Sequence, residues 1–221
     1  MSDLSSRLVT EAVLTTARRY RGLSADERRS ERRARLLEAA ADLFGSDGYA
    51  ATSIERLCAR AGVTTRHFYE EFKSREDVLS ALCEEMDRAT FSAVQSAVER
   101  EPDDAEARTR AVVATFITQM LADPRRARIV LVESPATGPA GENWLRTHGR
   151  YAELIRSQFE LLAGKGLLPE PRLHIGIHRA GWGMNELLLA HCTGCSVASI
   201  GEVIDELVHI FLVVEGGCGA R

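Results

Sequence analysis

A chain of 221 residues, 45% apolar and 27% charged, has material for one generous core or two modest ones. No stretch approaches 18 uninterrupted apolar residues, and the charged N-terminus lacks the short apolar run of a secretory signal. A cytoplasmic protein without a membrane partner is therefore expected. The formal charge of −4 argues at first against a polyanionic partner, but it is unevenly placed: through residue 75 there are 14 Lys+Arg against 11 Asp+Glu, a net of +3, while the remainder carries 14 against 21, a net of −7. A basic third on an acidic body suits a protein that puts one end on a phosphate polymer.

Residues 1–29 read as a basic N-terminal extension, with a short helical pattern over Leu4 to Tyr20 and a break at Gly22. From Ser30 onward Leu36, Leu37, Ala40, Leu43 and Phe44 share one helical face, and Gly48 stands where a left-handed residue ends a helix. Thr52-Ser53-Ile54-Glu55 has the spacing of a capping box, predicting a short helix from Thr52 to about Arg60. After the turn Ala61-Gly62-Val63, Thr64 caps a third short helix that carries Phe68 and Phe72 inward. Ser74 then caps a long amphipathic helix to about Glu99, marked by Val78, Leu79, Leu82, Met86, Val94 and Val98.

The rest also reads as helix: Asp104 to Leu121, Pro124 to Glu133, Gly141 to Ala163, Pro171 to Cys192 and Val197 to Glu215, divided by Pro- and Gly-bearing breaks. No alternating strand pattern and no internal repeat is present. The five cysteines, Cys58, Cys83, Cys192, Cys195 and Cys218, are odd in number and scattered, which predicts reduced thiols. The fold class expected is all-α.

Three short helices with a glycine turn before the third, followed by a long helix, form the pattern of a helix-turn-helix unit. A three-helix bundle with no role on DNA has the same periodicity. The residues themselves separate the two. The block FGSDGYAATSIERLCARAGVTTRHFYEEFKSREDVL resembles the N-terminal signature of the TetR family of transcriptional regulators, with Phe44, Gly48-Tyr49, Thr52, Ile54, Leu57-Cys58, Ala61-Gly62-Val63, Phe68-Tyr69 and Phe72-Lys73 at the family's spacing. The resemblance covers about 45 residues.

It implies a helix-turn-helix DNA-binding domain over residues 30–75 and a helical effector-binding and dimerisation domain over 76–221. The partners it implies are a double-stranded, palindromic DNA operator, a second copy of the chain and a small-molecule effector, most often with repression as the outcome. No cofactor is implied, and neither a phosphate-binding glycine loop nor a nucleophile with its base suggests an enzyme.

At the start of the third helix Thr64, Thr65, Arg66 and His67 are placed to reach base edges and phosphate, and Arg66 is the candidate for a bidentate contact to guanine. Tyr69 and Lys73 match family positions that contact phosphate, and Thr52 can offer its hydroxyl to phosphate as well as cap its helix. Two departures stand out. Arg66 replaces a small residue, and Glu70-Glu71 would repel DNA unless Glu70 pairs with Arg66 four residues away. The arginines at 28, 29, 32, 33 and 35 either follow the DNA backbone or minor groove or form a solvated helix start.

In the C-terminal body the resemblance places a four-helix dimer interface on the last two helices, with the segment Gly181–Leu188 similar to a recurring stretch of the penultimate one. Val203, Ile204, Leu207, Val208, Ile210, Phe211 and Val214 are too many for one buried face. An effector pocket, if present, is expected in the region of Phe116, Met120, Trp144, Tyr151 and Phe159, although core packing is the commoner explanation for each of them singly. A metal- or thiol-responsive alternative rests on His174 and His178 at i,i+4 and on Cys192 and Cys195 in a CxxC spacing. Its bland counterpart is ordinary helix-interface packing.

Overall fold

The computed structural model describes residues 24–135, 137–163, 170–195 and 198–216. Every regular element among them is helical: α1 (Ala25–Ser46), α2 (Ile54–Ala61), α3 (Thr65–Glu71), α4 (Arg75–Val98), α5 (Ala105–Leu121), α6 (Pro124–Arg128, continued by a π-turn over Ile129–Glu133), α7 (Gly138–Ala163), α8 (Glu170–Cys192) and α9 (Ile200–Gly216). The expected all-α class holds. The helical pattern over Leu4 to Tyr20 lies outside the described residues.

Capping chemistry sets most boundaries. α1 begins at Ala25, earlier than the apolar periodicity indicates, because Ser24 and Glu27 form a complete capping box: Glu27 N–H donates to Ser24 Oγ (3.1 Å) and Ser24 N–H to Glu27 Oε2 (2.7 Å). The helix ends where the N–H groups of Asp47 and Gly48 both return to the Leu43 carbonyl, with Gly48 at φ 93°.

At α2 the expected cap is displaced by one residue. Ser53, not Thr52, accepts from the Arg56 N–H (3.3 Å), while Thr52 is fully buried and its hydroxyl donates to the Gly48 carbonyl (2.9 Å). The chain turns inward at Thr52 to satisfy a carbonyl left open at the end of α1, so that hydroxyl is unavailable both to a cap and to a phosphate.

Two hydrophobic cores follow. In the first, Leu36, Ala40 and Phe44 of α1, Leu57 of α2, Phe68 of α3, and Phe72, Val78, Leu79 and Leu82 enclose one another. The second gathers Val94 and Val98, then Val113, Phe116, Ile117 and Met120 of α5, Ile155 of α7, Leu188 of α8, and Val203, Leu207 and Phe211 of α9. α4 belongs to both: its first turns lie in one core and its last in the other, with Met86 packed against each.

A second junction joins α1 to α6. Arg125 at the start of α6 pairs with Glu38 (3.2 Å) and Asp42 of α1, and Asp42 also accepts from Arg60 of α2. Arg128 donates to the Ser46 carbonyl and to Glu133, which in turn accepts from the Tyr49 N–H (3.2 Å). The approach depends on Gly45, since a Cβ there would lie 2.5 Å from Arg125 Cβ and 2.9 Å from its Cα.

Gly45→Ala is expected to push α6 off α1, costing ~1–3 kcal/mol by overpacking. At roughly 2–4 °C per kcal/mol for a chain of this size, a thermal melt resolves the loss. A variant that melts with wild type would show that the junction yields without cost.

Candidate nucleic-acid interface

α3 is seven residues long, too short to persist without its surroundings, and two contacts with the fold set its rotation. Thr64 caps it, accepting from the His67 N–H (3.3 Å), and Phe68 is fully buried beneath it. The preceding turn is made by Gly62 in the left-handed region (φ 63°, ψ 39°), with the Val63 N–H donating to the Cys58 carbonyl (3.0 Å).

With Phe68 and Phe72 inward, Thr64, Thr65, Arg66 and Tyr69 are exposed, Tyr69 by 58% and the Arg66 side chain by 87%. His67 is half-buried, its Nδ1 3.1 Å from Thr64 Oγ1. Lys73 follows at the helix end, its ammonium exposed and its backbone N–H given to Asp77 (3.0 Å). Six of the seven sequence-derived contact residues thus lie along α3 and its two ends, five of them exposed. Thr52, buried behind α2, stays off it.

The acidic pair is divided between two environments. Arg66 Nε lies 3.4 Å from Glu70 Oε1, the i,i+4 pair read from the sequence. Glu71 folds back instead onto α1, only 2% exposed, where Arg29 Nε donates to it at 3.1 Å and Arg32 stands 3.9 Å away. Arg33 lies over the Phe72 ring (4.5 Å), and Arg35 reaches the Gly62 carbonyl (3.5 Å). Arg29, Arg32 and Arg33 thus reach α3 or its end, while Arg28, Arg29 and Arg35 remain exposed along a solvated helix start. Helical periodicity in α1 contained the signal, since 29, 32 and 33 share a face, but not their partners some 40 residues away.

In the body, Phe116 and Met120 are core residues, and Tyr151 sits between Phe91 and Phe116 at centroid distances of 5.5 and 5.3 Å. The side chains of Trp144, Phe159, His174 and His178 lie outside the described residues. Cys192 and Cys195 are exposed, and among the described residues no group of three or more His, Cys, Asp or Glu is placed to hold a metal.

Next to Tyr151 is a buried polar cluster unmarked in the sequence. Asp87 of α4 accepts from Thr147 Oγ1 (2.6 Å) and Asn143 Nδ2 (3.4 Å) of α7. Burial raises the Asp87 carboxyl above the ordinary aspartate range, opposed by the Thr147 hydrogen bond and by Arg150 and Arg126. Burial also raises the Tyr151 phenol, whose hydroxyl has no hydrogen-bond partner among the described residues. An open groove of about 580 Å³ runs beside this cluster, lined by Phe91, Arg146, Arg150 and Leu154.

A glycine-turned helix pair that exposes polar side chains at the start of its second member, joined to an all-helical body, has the geometry of a helix-turn-helix unit. Residues 36–82 match the family model for "Bacterial regulatory proteins, tetR family". The chain is 30% identical over 111 residues to the HTH-type transcriptional activator FasR of Mycolicibacterium smegmatis, a match spanning 50% of either chain and thus half of FasR's length. Among solved structures, the fatty acid degradation regulator FadR of Bacillus halodurans superposes with a TM-score of 0.67 at 16% identity, over 86% of this chain and 97% of its own. FadR of Bacillus subtilis, in complex with stearoyl-CoA, does so with 0.66 at 14%, over 83% and 98%. Over residues 36–82 the chain is similar to bacterial regulatory proteins of the tetR family, and beyond them its likeness to the solved structures is one of fold.

Because its pKa is raised in the folded state, Asp87 contributes stability that is fully present below the ordinary aspartate value of 3.8 and is lost as pH rises through the higher folded value. Asp87→Asn keeps an acceptor for Thr147 without the buried charge. Its melting temperature is expected to equal or exceed that of wild type at neutral pH, with the margin shrinking toward pH ~4. A margin that widens on acidification would mean that the carboxylate is held charged by Arg126 and Arg150.

Proposed function

We propose that the protein is an effector-released repressor that binds a pseudo-palindromic operator as a homodimer. In this reading residues 30–75 read DNA, residues 76–221 sense the effector and dimerise through α8 and α9, and residues 1–29 extend the reading unit. The observation that carries it is the start of α3: Thr65, Arg66 and Tyr69 exposed on a helix seated on the buried Phe68, with Lys73 exposed just past its end. A helix N-terminus in the major groove presents Thr65 and Arg66 to bases, while Tyr69 and Lys73 hold phosphates on either side.

Support for α8 and α9 as the contact with a second copy comes from their surfaces. Trp182 is 54% exposed, and a Cβ on neighbouring Gly181 or Gly183 would meet nothing within 4 Å, leaving room for a close helix. On α9, Val203, Leu207, Val208 and Phe211 are buried within the protomer, while Ile204 and Ile210 remain half-buried. A two-fold dimer engages DNA only when both reading heads fit one half-site spacing, so a small pivot of α4 is enough to release it.

For the effector we propose an anionic amphiphile. The groove beside Tyr151 is lined by Phe91 and Leu154, by two guanidiniums, Arg146 and Arg150, and by Glu153, which Arg156 offsets. The fold's likeness to a FadR in complex with stearoyl-CoA agrees with that chemistry.

Duplexes selected by the protein from a random pool define the operator. On these, Tyr69→Phe and Lys73→Ala are expected to weaken binding to all sequences, and Arg66→Ala to relax one base pair by ~1–3 kcal/mol. Stearoyl-CoA titrated into the protein–operator complex is expected to release it. Equal affinity for duplex and single strand at moderate salt would sink the DNA-binding reading, retention of the operator at saturating stearoyl-CoA would sink the effector class, and a reporter that falls silent on deletion of the gene would replace repression by activation.

A further inference from the structure

We infer that the arginines of α1 are positioning residues for the recognition helix: Arg29 and Arg32 lock Glu70 and Glu71 at the C-terminal end of α3 and thereby aim Arg66 into the groove. This rests on the reading of DNA by α3 proposed above. It assigns to the first turns of α1 a part in base discrimination and removes them from the set of direct DNA contacts.

The geometry is a clamp on the last residues of a short helix. Arg29 makes two contacts there, with Nε to Glu71 Oε2 (3.1 Å) and Nη2 to the Glu70 carbonyl (3.3 Å), a carbonyl the helix itself leaves open at its end. Arg32, on the next turn, lies 4.0 Å from Glu70 Oε2 and 3.9 Å from Glu71 Oε1. Arg33 covers the ring of Phe72, the residue that closes α3. Three arginines on one face of α1 therefore grip three consecutive residues.

Burial separates this clamp from an ordinary surface ion pair. The buried part of the clamp is Glu71, whose side chain is 2% exposed, with Arg32 at 20%, while Arg29 (60%) and Glu70 (43%) lie on its solvent side. Arg32 Nε and Glu71 Oε1 are buried without a hydrogen bond, so neither group can turn to solvent or to a phosphate without opening the α1–α3 contact. Charges placed this way are costly to separate, which makes the pair a registration device as well as a neutralising one.

Glu70 links the clamp to the base-reading side chain. One of its oxygens faces Arg32 and the other Arg66 (3.4 Å). To reach a guanine edge the Arg66 guanidinium must leave Glu70, and Arg32 then remains as that carboxylate's counter-charge. The two acids that would repel the DNA backbone are thus balanced from within.

The test uses the full chain, the selected operator, and the same duplex altered at the base pair whose discrimination Arg66→Ala abolishes. Affinities for both are measured over a salt series for Glu71→Gln, Arg32→Gln and Arg32→Lys. A bidentate guanine contact discriminates by roughly 5- to 150-fold. Glu71→Gln and Arg32→Gln are expected to cut this ratio by about 5-fold or more, toward the value for Arg66→Ala, with the salt slope unchanged; Arg32→Lys should retain most of it. If these arginines touched phosphate directly, Arg32→Gln would reduce the slope by about 0.9 with discrimination intact, and Glu71→Gln would tighten binding to every duplex. Either result overturns the inference, as does a ratio that none of the variants moves. Should Arg32→Gln fail to fold in a thermal melt, the near-isosteric Glu71→Gln decides. Wild-type protein without duplex preference would overturn the DNA-binding reading as well, and so is distinct from failure of the clamp alone.

Discussion

A single helix cannot bend to suit two cores, and α4 belongs to both. Val78, Leu79 and Leu82 in its first half are interior to the helix-turn-helix unit, and Val94 and Val98 near its end are interior to the body. Each half is held by close-packed side chains, which resist displacement far more than a linker would. Any rearrangement of the body that tilts α4 therefore carries the helix-turn-helix unit with it. The α1–α6 junction supplies a second point of attachment, where Arg125 and Arg128 meet Glu38, Asp42 and the end of α1. Two attachments define an orientation, where one would define only a pivot.

Much of the fold was legible because helix ends are written in local chemistry. Ser74, Asp104 and Asp123 each accept from a backbone N–H in the first turn that follows, and Gly48 and Gly62 have the positive φ that their places require. The misplaced cap at α2 has a tertiary cause. Thr52 and Ser53 are chemically near-equivalent neighbours, and only the open Gly48 carbonyl, delivered by the end of another helix, decides which turns inward. The early start of α1 was written in Ser24 and Glu27 but was hidden by the apolar pattern, which begins only at Leu36.

The site was legible to the same degree and for the same reason. Arg66 and Glu70 are four apart on one helix, so their pairing follows from helical geometry. Glu71 and Arg29 are separated by 42 residues, and nothing local announces that one carboxylate of an adjacent pair is buried and the other half-exposed. Asp87 is similar: in the sequence it is one more charge on an amphipathic helix, and only the arrival of α7 identifies it as interior. Where function depends on long-range charge pairing, the order of the residues names the participants but not the pairs.

That buried carboxylate has a consequence for how α4 and α7 can slide. Apolar side chains tolerate small shifts along a helix contact, since one methyl neighbour substitutes for another at little cost. A hydrogen bond of 2.6 Å from Thr147 to Asp87 does not, and Asn143 on the preceding turn of α7 repeats the constraint. The two helices therefore have a preferred axial setting with steep sides. A slide along the contact must break both hydrogen bonds before any apolar neighbour is exchanged, so the pair acts as a latch on the axial setting of α4 against α7.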